Sequence, residues 1–366
     1  MENIILRKIK YENCFYILFC LMSIIYSVYI INNNNLEGIR IFSNNIIGII
    51  LLIVSCILLI IEIILLFIKK QNVFKRILFL IVSIITILIF IDLLVLGTIR
   101  SFITVINMDK RPTSLDPLNL RLAYICLKNY NPILSGIFTT LWLSLLGTII
   151  GLIIALLFIS LKTLEINKKD SEFKSFIKRF AHRFVDTYVT IFRGTPMMVQ
   201  AIIIYYFLPG ILATLFNVDQ EIINNILTVG VSGLITVTLN TTAYLTEVLR
   251  GGIEALNKGQ LEAARSLGMS HMKANIYVIM PQAIKNSLPS ICNEFIINVK
   301  DTSVLSVISV MDIFFVIDSI NGKNASQDGI FIAAIIYLTL TYTISKLLRL
   351  LEKKMNLVSK PLPSCN

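Results

Sequence analysis

Long apolar stretches alternate along this chain with short polar connections that contain most of its charged residues. A helix that crosses a bilayer needs about 20 consecutive, mostly apolar residues. Eight stretches have that length and are predicted to cross a membrane as helices: 13–31, 44–68, 77–99, 133–161, 184–208, 227–249, 284–318 and 330–350. The first is not followed by a small-residue cleavage site, so it predicts an anchor rather than a signal peptide. The pattern predicts an all-α polytopic membrane helix bundle.

The basic residues predict the orientation of these spans. Most of the 33 Lys and Arg residues lie in alternate connections, on one side of the predicted membrane. Because cytoplasmic connections are enriched in Lys and Arg, we expect both termini and the connections 69–76, 162–183 and 250–285 to be cytoplasmic. The connection 100–132 is expected outside, although it is basic, because the inverted topology would place far more charge there. The chain is therefore expected in the cell membrane, as a multi-pass protein.

Composition excludes several classes of function. The chain is 15% charged, compared with roughly 25% for soluble proteins. The chain has a net charge of +11, and its basic residues lie mainly in the connections between the apolar stretches. They form no basic–aromatic stripe, so no nucleic-acid partner is expected. The six Cys and two His are scattered, which supports neither a metal site nor a disulfide framework. No catalytic constellation is evident, and we expect a protein that is not an enzyme.

The connection between the sixth and seventh predicted spans, residues 250–281, reads RGGIEALNKGQLEAARSLGMSHMKANIYVIMP. Residues 260–267 predict a helix of about two turns, in which Glu262 and Arg265 are spaced for an i,i+3 pair. Gly268 is suited to the C′ position that ends this helix. Ser270 predicts the cap of a second short helix that runs until Pro281.

The first of these short helices contains small side chains. Ala263, Ala264 and Leu267 are expected to form a smooth face that suits close docking by another protein. A cytoplasmic hairpin that only connects two spans fits the same residues. The pattern alone leaves both interpretations open.

Four motifs in order resemble the polar amino acid uptake branch of ATP-binding-cassette importer permeases. They are YVTIFRGTPMMVQ at 188–200, AYLTEVLRGGI at 243–253, KGQLEAARSLG at 258–268 and FIINVKDTSVLSVI at 295–308. The third is similar to the Glu-Ala-Ala (EAA) loop of these permeases, which docks in a groove of the ATPase subunit. Thr190 stands where the family usually has Glu, and Asn257 where it usually has Pro.

The resemblance implies a five-helix permease core with a cytoplasmic coupling helix. It assigns ATPase coupling to the matching residues of the loop: Lys258, Gly259, Glu262, Ala263, Ala264, Arg265 and Gly268. The sequence has no phosphate loop of the G-x-x-x-x-G-K-[ST] type, so ATP and Mg are expected on a partner ATPase dimer. The other implied partners are a second permease copy or paralogue, an extracellular or periplasmic solute-binding protein, the bilayer and a polar amino acid.

Polar residues inside the predicted spans are candidates for the substrate path, because charges at membrane depth usually face a cavity or a partner. Pro196 is expected to break the fifth span, and broken helices are tolerated where they line a cavity. The candidates come from three segments: Thr195 and Gln200, Asn240 and Glu247, and Asp301 with Thr302. A purely structural role, as interhelical hydrogen bonds or headgroup-level charges, is the competing interpretation for each.

Two function classes follow. The first is a membrane-spanning permease subunit that translocates polar amino acids into the cytoplasm, driven by a separate ATPase and fed by a binding protein. The second is an ion-coupled secondary amino acid transporter, which has no use for a coupling loop. The expected domains are a three-helix membrane extension at 1–125, a permease core at 126–355 with its EAA loop at 250–281, and a cytoplasmic tail at 356–366.

Overall fold

The computed structural model describes residues 95–113, 116–166, 170–257 and 259–354, with a few isolated helical positions between 21 and 84. Most of the expected spans 13–31, 44–68 and 77–99, and the whole of the expected tail 356–366, lie outside the described residues. Every regular element in the described part is a helix, which confirms the all-α class.

The chain divides into two compact units, Met1–Lys128 and Asn129–Asn366. The domain roles expected from the sequence stay predictions. In the first unit, the described helices are α1 (Gly97–Ile106) and α2 (Leu118–Lys128). The Asn119 side chain of α2 donates to the carbonyl of Gly97 at 3.0 Å. The stretch expected as an outer connection is thus largely helical.

The second unit is a bundle of helices with short connections. Its elements are α3 (Tyr130–Lys162), α4 (Glu172–Gly194), α5 (Met197–Phe216), α6 (Gln220–Ile226), α7 (Val229–Glu254), α8 (Gly259–Ser266), α9 (His271–Ala274), a π-turn (Asn275–Ile279), α10 (Met280–Asp301), a 3₁₀ segment (Thr302–Ile308), α11 (Ile313–Asn324) and α12 (Gly329–Lys354).

Among the described residues, three helices are long and apolar enough to cross a membrane by themselves: α3, α5 and the Gly329–Leu350 part of α12. The number rises to five if each of two bent pairs of helices counts as one span. These pairs are α6 with α7, and His271–Ile308 with α11. The expected span 184–208 is wrong in its bounds, because it straddles a break between α4 and α5. The apolar span begins after that break.

Small residues let α3 and α7 pack closely. Gly147 and Gly151 are one turn apart on α3, and a Cβ at Gly147 would lie 2.5 Å from Cγ1 of Val237 on α7. At Gly151 a Cβ would lie 3.1 Å from the Thr241 side chain. Spacing of small residues by four is a recurrent device for helix association in membranes, where close backbone approach replaces the missing hydrophobic drive.

A buried amide ties a third helix to this pair. Asn298 of α10 donates from Nδ2 to Oγ1 of Thr148 on α3 at 2.8 Å and to Oγ1 of Thr241 on α7 at 2.9 Å. All three side chains are buried. Since a polar group in an apolar interior is costly unless it is paired, this cluster fixes how the three helices fit together.

Candidate functional site

The loop 250–281 begins with a tight turn after α7. The side chain of Asn257 accepts from the backbone N–H of Gly259 at 2.9 Å, and its carbonyl accepts from that of Gln260 at 2.9 Å. An Asn side chain that bonds the backbone two residues on is typical of such turns. Lys258, expected to take part in coupling, lies outside the described residues.

Gly268 ends α8 as the sequence predicts. Its φ is +84°, its N–H donates to the carbonyl of Arg265 at 2.9 Å, and the N–H of Met269 donates to the carbonyl of Ala264 at 3.2 Å. These two bonds form a Schellman motif, which favours glycine because a Cβ is strained at positive φ.

The exposed face of α8 differs from the expected one. Ala263 and Glu262 are exposed and Leu267 is 85% exposed, but Ala264 is buried at 5% exposure. The expectation that Ala264 shares a smooth outer face with Ala263 and Leu267 is therefore wrong. Its side chain packs inward, because residues 263 and 264 are about 100° apart around a helix axis.

Arg265 pairs with a residue far away in the sequence. Its Nη1 lies 3.5 Å from Oε1 of Glu165, in the connection between α3 and α4. Nδ1 of His271 lies 3.7 Å from the other oxygen of the same carboxylate. The expected pair within α8 is wrong, since the described ion pair of Arg265 is with Glu165 rather than Glu262. Sequence analysis missed Glu165, which no local pattern connects with position 265.

The helix after α8 continues further than expected. The Ser270 side chain accepts from the N–H of Lys273 at 3.4 Å, as a cap should. The helix does not end at Pro281, however. A π-turn closed by the N–H of Met280 on the carbonyl of Asn275 precedes Pro281, which stands in the first turn of α10. Proline is tolerated there because its missing N–H is not needed.

Pro196 breaks the chain between α4 and α5, as the sequence predicts. Proline has no N–H, so the carbonyl of Phe192, four residues earlier, loses its helical partner. The buried Gln200 replaces it, since its Nε2 donates to the carbonyl of Phe192 at 2.9 Å, that of Thr195 at 3.0 Å and Thr195 Oγ1 at 2.9 Å. Asn240 of α7 donates to Gln200 Oε1 at 3.3 Å. The structure thus brings Thr195, Gln200 and Asn240 together around the break.

Glu247 lies in a separate cluster of charges. Its Oε2 accepts from Nε and Nη2 of Arg250 at 3.1 and 2.9 Å and lies 3.6 Å from Nη1 of Arg193. The Arg193 guanidinium also lies over the ring of Tyr244, 5.4 Å from its centroid. This carboxylate is therefore shared between two arginines on two helices.

Asp301 and Thr302 lie at the end of α10. Thr302 is buried and its hydroxyl donates to the carbonyl of Val299 at 3.0 Å, within its own helix. Asp301 is half-buried, and Glu294, two turns earlier, is only 7% exposed. No hydrogen bond in the described part of the chain joins Asp301 or Thr302 to the other candidates. Sequence analysis also missed Asn298, although a polar residue between Glu294 and Asp301 was a signal of a buried network.

Comparison with known proteins places the second unit in a family. Residues 173–357 match the family described as binding-protein-dependent transport system inner membrane component. A Rickettsia felis protein described as a permease of a glutamine transport system is 36% identical over 225 residues, which are 61% of this chain and 92% of that protein. The L-cystine transport system permease protein TcyB of Bacillus subtilis is 33% identical over 63% of this chain and 89% of its own length.

A solved structure agrees with this placement. The crystal structure of an amino acid ABC transporter with histidines shares 32% identity and a TM-score of 0.53, over 66% of this chain and all of that chain. The family match at 173–357 contains the broken helix, the loop 250–281 and Asn298. The chain belongs to the binding-protein-dependent transport system inner membrane components, the membrane-embedded permease subunits of ATP-binding-cassette importers, which have no ATPase activity of their own.

Proposed function

We propose that the chain imports polar amino acids and that a partner ATPase drives it through α8. The observation that carries this proposal is the apolar, exposed tip of α8, where Leu267 is 85% exposed beside Ala263 on a helix stopped by Gly268. Docking of a partner over this leucine would remove apolar area from water, which favours association. The ATPase dimer binds ATP and Mg, and the permease supplies the docking helix.

The coupling residues have different tasks in this proposal. Ala263 and Glu262 contact the ATPase, Gly259 and Gly268 set the two ends of the helix, and Lys258 adds a positive charge to the loop. Ala264 acts from inside, where it lets α8 pack closely on the bundle. Arg265 passes motion of α8 to the connection between α3 and α4 through Glu165, because the ion pair joins the two segments directly.

The substrate is a polar amino acid, as the names of the relatives suggest for glutamine and L-cystine transport. A zwitterion that enters a low-dielectric path needs acceptors for its ammonium and donors for its carboxylate. Asp301 serves as an acceptor, whereas Glu247 and Thr302 take part only by giving up present bonds: Glu247 is paired with Arg250 and Arg193, and the Thr302 hydroxyl donates to the carbonyl of Val299. Thr195, Gln200 and Asn240 contribute mainly by holding the break open, since their polar groups already bind one another and the backbone.

The other partners follow from the same proposal. A solute-binding protein delivers the substrate at the outer face, and a second permease copy or paralogue completes the path. Both termini are cytoplasmic, because this orientation puts most basic connections inside. Residues 1–125 contain none of the motifs and serve assembly rather than the transport cycle.

Uptake in proteoliposomes tests the energy source. Vesicles that hold the permease, its ATPase and internal ATP are given loaded binding protein and labelled glutamine, arginine or cystine. We expect uptake that persists after ionophores collapse the proton and sodium gradients, and that stops with an ATPase unable to hydrolyse ATP. Uptake that stops with the gradients and ignores ATP identifies the alternative, an ion-coupled secondary transporter.

The path residues are tested by selectivity. Asp301→Asn is expected to change the ratio of arginine to glutamine uptake, with folding and basal ATP hydrolysis retained. Asp318→Asn is the matched control, since Asp318 is exposed on α11. A uniform loss of uptake that follows protein yield contradicts the assignment of Asp301.

A further inference from the structure

The first half of α4 has a continuous aromatic face that is largely exposed in the described part of the chain, where only its last ring, Phe184, meets another helix, through Phe158 of α3 at 5.9 Å. Phe173, Phe176, Phe180 and Phe184 recur every three or four residues, which places them on one side of the helix. Their exposed fractions are 73, 60, 61 and 49%. The rings of Phe176 and Phe180 are stacked with centroids 6.4 Å apart, and those of Phe180 and Phe184 with centroids 6.5 Å apart. The four rings form one stripe.

Three contacts place this stripe at the end of a membrane span. Nζ of Lys162, the last residue of α3, lies 2.5 Å from Oδ1 of Asp186 on α4. Nζ of Lys178 donates to the carbonyl of Glu165 at 2.7 Å and to Asp170 at 2.6 Å, both in the connection between the two helices. The end of α3, a candidate membrane span, thus lies beside Asp186, and the stripe on the preceding turns of α4 begins where that span ends.

The charges beside the stripe are basic. Arg179 and Arg183 are exposed and lie one turn apart along one edge of it, and Lys174 is exposed on the other side. No ion pair engages Arg179 or Arg183 within the described part of the chain. Glu172 is the one acidic residue in the stretch 172–184. Net positive charge next to an apolar face complements anionic headgroups above acyl chains.

The same charges argue against other occupants. A second copy would bring an identical set of arginines to this stripe, and like charges directly opposed are unfavourable. A transmembrane position is not available either, since α4 is absent from the described helices that are apolar enough to cross. A helix with strong aromatic and basic faces and little overall hydrophobicity lies instead in the plane of the interface.

We propose that residues 172–184 form an interfacial helix that binds anionic phospholipid, with Phe173, Phe176, Phe180 and Phe184 in the acyl region and Arg179 and Arg183 at the headgroups. The leaflet is the cytoplasmic one, which rests on the orientation given under Proposed function. The lipid contact itself depends on neither an ATPase nor a transported substrate. It anchors the helix that leads directly into the break at Pro196.

Tryptophan quenching by brominated lipids tests the contact in the full chain. The chain has one tryptophan, so Phe180→Trp in a Trp142→Phe background gives a single reporter, and Trp142→Phe alone gives the blank. The protein is placed in phosphatidylcholine vesicles that contain one quarter dibrominated phosphatidylglycerol or one quarter dibrominated phosphatidylcholine. We expect severalfold stronger apparent binding of the anionic quencher at low salt.

Charge removal gives the decisive comparison. Arg179→Gln with Arg183→Gln should abolish the preference for the anionic lipid, with a loss of roughly fivefold per arginine as the upper bound. Lys346→Gln with Arg349→Gln is the matched control, because it removes the same charge from α12 and should leave the preference unchanged. Each variant must elute like the parent chain in size-exclusion chromatography. If the Phe180→Trp variant does not, Phe176→Trp serves as the reporter in its place.

Four results overturn the proposal. Equal quenching by the two lipids shows an apolar contact without a role for the arginines. Absence of quenching by either lipid shows that protein covers the stripe, and a dependence of the signal on protein density identifies a second copy. Loss of the preference in the α12 control shows a general effect of net charge. Since the assay needs no ATP, none of these results bears on ATP-driven uptake.

Discussion

Replacement of Gln200 by methionine tests whether this side chain repairs the helix break. Methionine has nearly the same length but no donor, so the carbonyls of Phe192 and Thr195 lose bonds of 2.9 and 3.0 Å. Asn240 retains only a 3.4 Å contact with the first of them. Buried polar groups left without partners cost about 1–3 kcal/mol each. We expect Gln200→Met to destabilise the protein by about 2–4 kcal/mol.

The assay is thermal unfolding of the purified protein in detergent, followed by loss of the size-exclusion peak. For a unit of this size, about 1 kcal/mol corresponds to about 2–4 °C in Tm, so a fall of about 4–16 °C is expected. Gln282→Met is the matched control, because Gln282 is half-buried and donates at 2.8 Å to the carbonyl of Val278, in the π-turn that precedes α10. Equal shifts for the two variants refute the reasoning. An unchanged Tm with altered substrate selectivity would instead make Gln200 a substrate contact.

Three further predictions concern α8. Gly268→Val puts a β-branched residue at a φ of +84°, which costs about 1–2 kcal/mol; we expect loss of ATPase pull-down with membrane insertion retained, and intact pull-down and uptake would contradict it. Glu165→Arg should reduce uptake and Arg265→Glu should restore part of it in the double variant, whereas a double variant no better than either single one removes the pairing argument. Ala264→Leu should overpack the buried side of α8, destabilise the protein by about 1–3 kcal/mol and so lower its Tm. Ala263→Leu should leave Tm unchanged and weaken ATPase binding. A thermal scan in which Ala263→Leu lowers Tm and Ala264→Leu does not would show that the two faces are misassigned.

Local patterns predicted local structure well. The apolar runs at 133–161 and 330–350 became α3 and α12, and Gly268 became a helix stop because positive φ is a property of one residue. Distant contacts were out of reach, as for Arg265, whose partner precedes it by a hundred residues. The span 184–208 was misplaced because a window of hydropathy averages over a break. The residues that repair that break became evident only when their hydrogen bonds were known.

A direct cross-link between the tip of α8 and the ATPase tests the central claim most directly. A photo-reactive benzoylphenylalanine replaces Leu267, which is 85% exposed, in the assembled transporter, and a second variant carries it in place of Tyr342, which is 67% exposed on α12. Irradiation of the position 267 variant is expected to join the permease covalently to the ATPase, whereas the position 342 variant gives no such product. An ATPase adduct from position 342 but not from position 267, or none from position 267 in a complex that still transports, would contradict the assignment of α8 as the coupling helix.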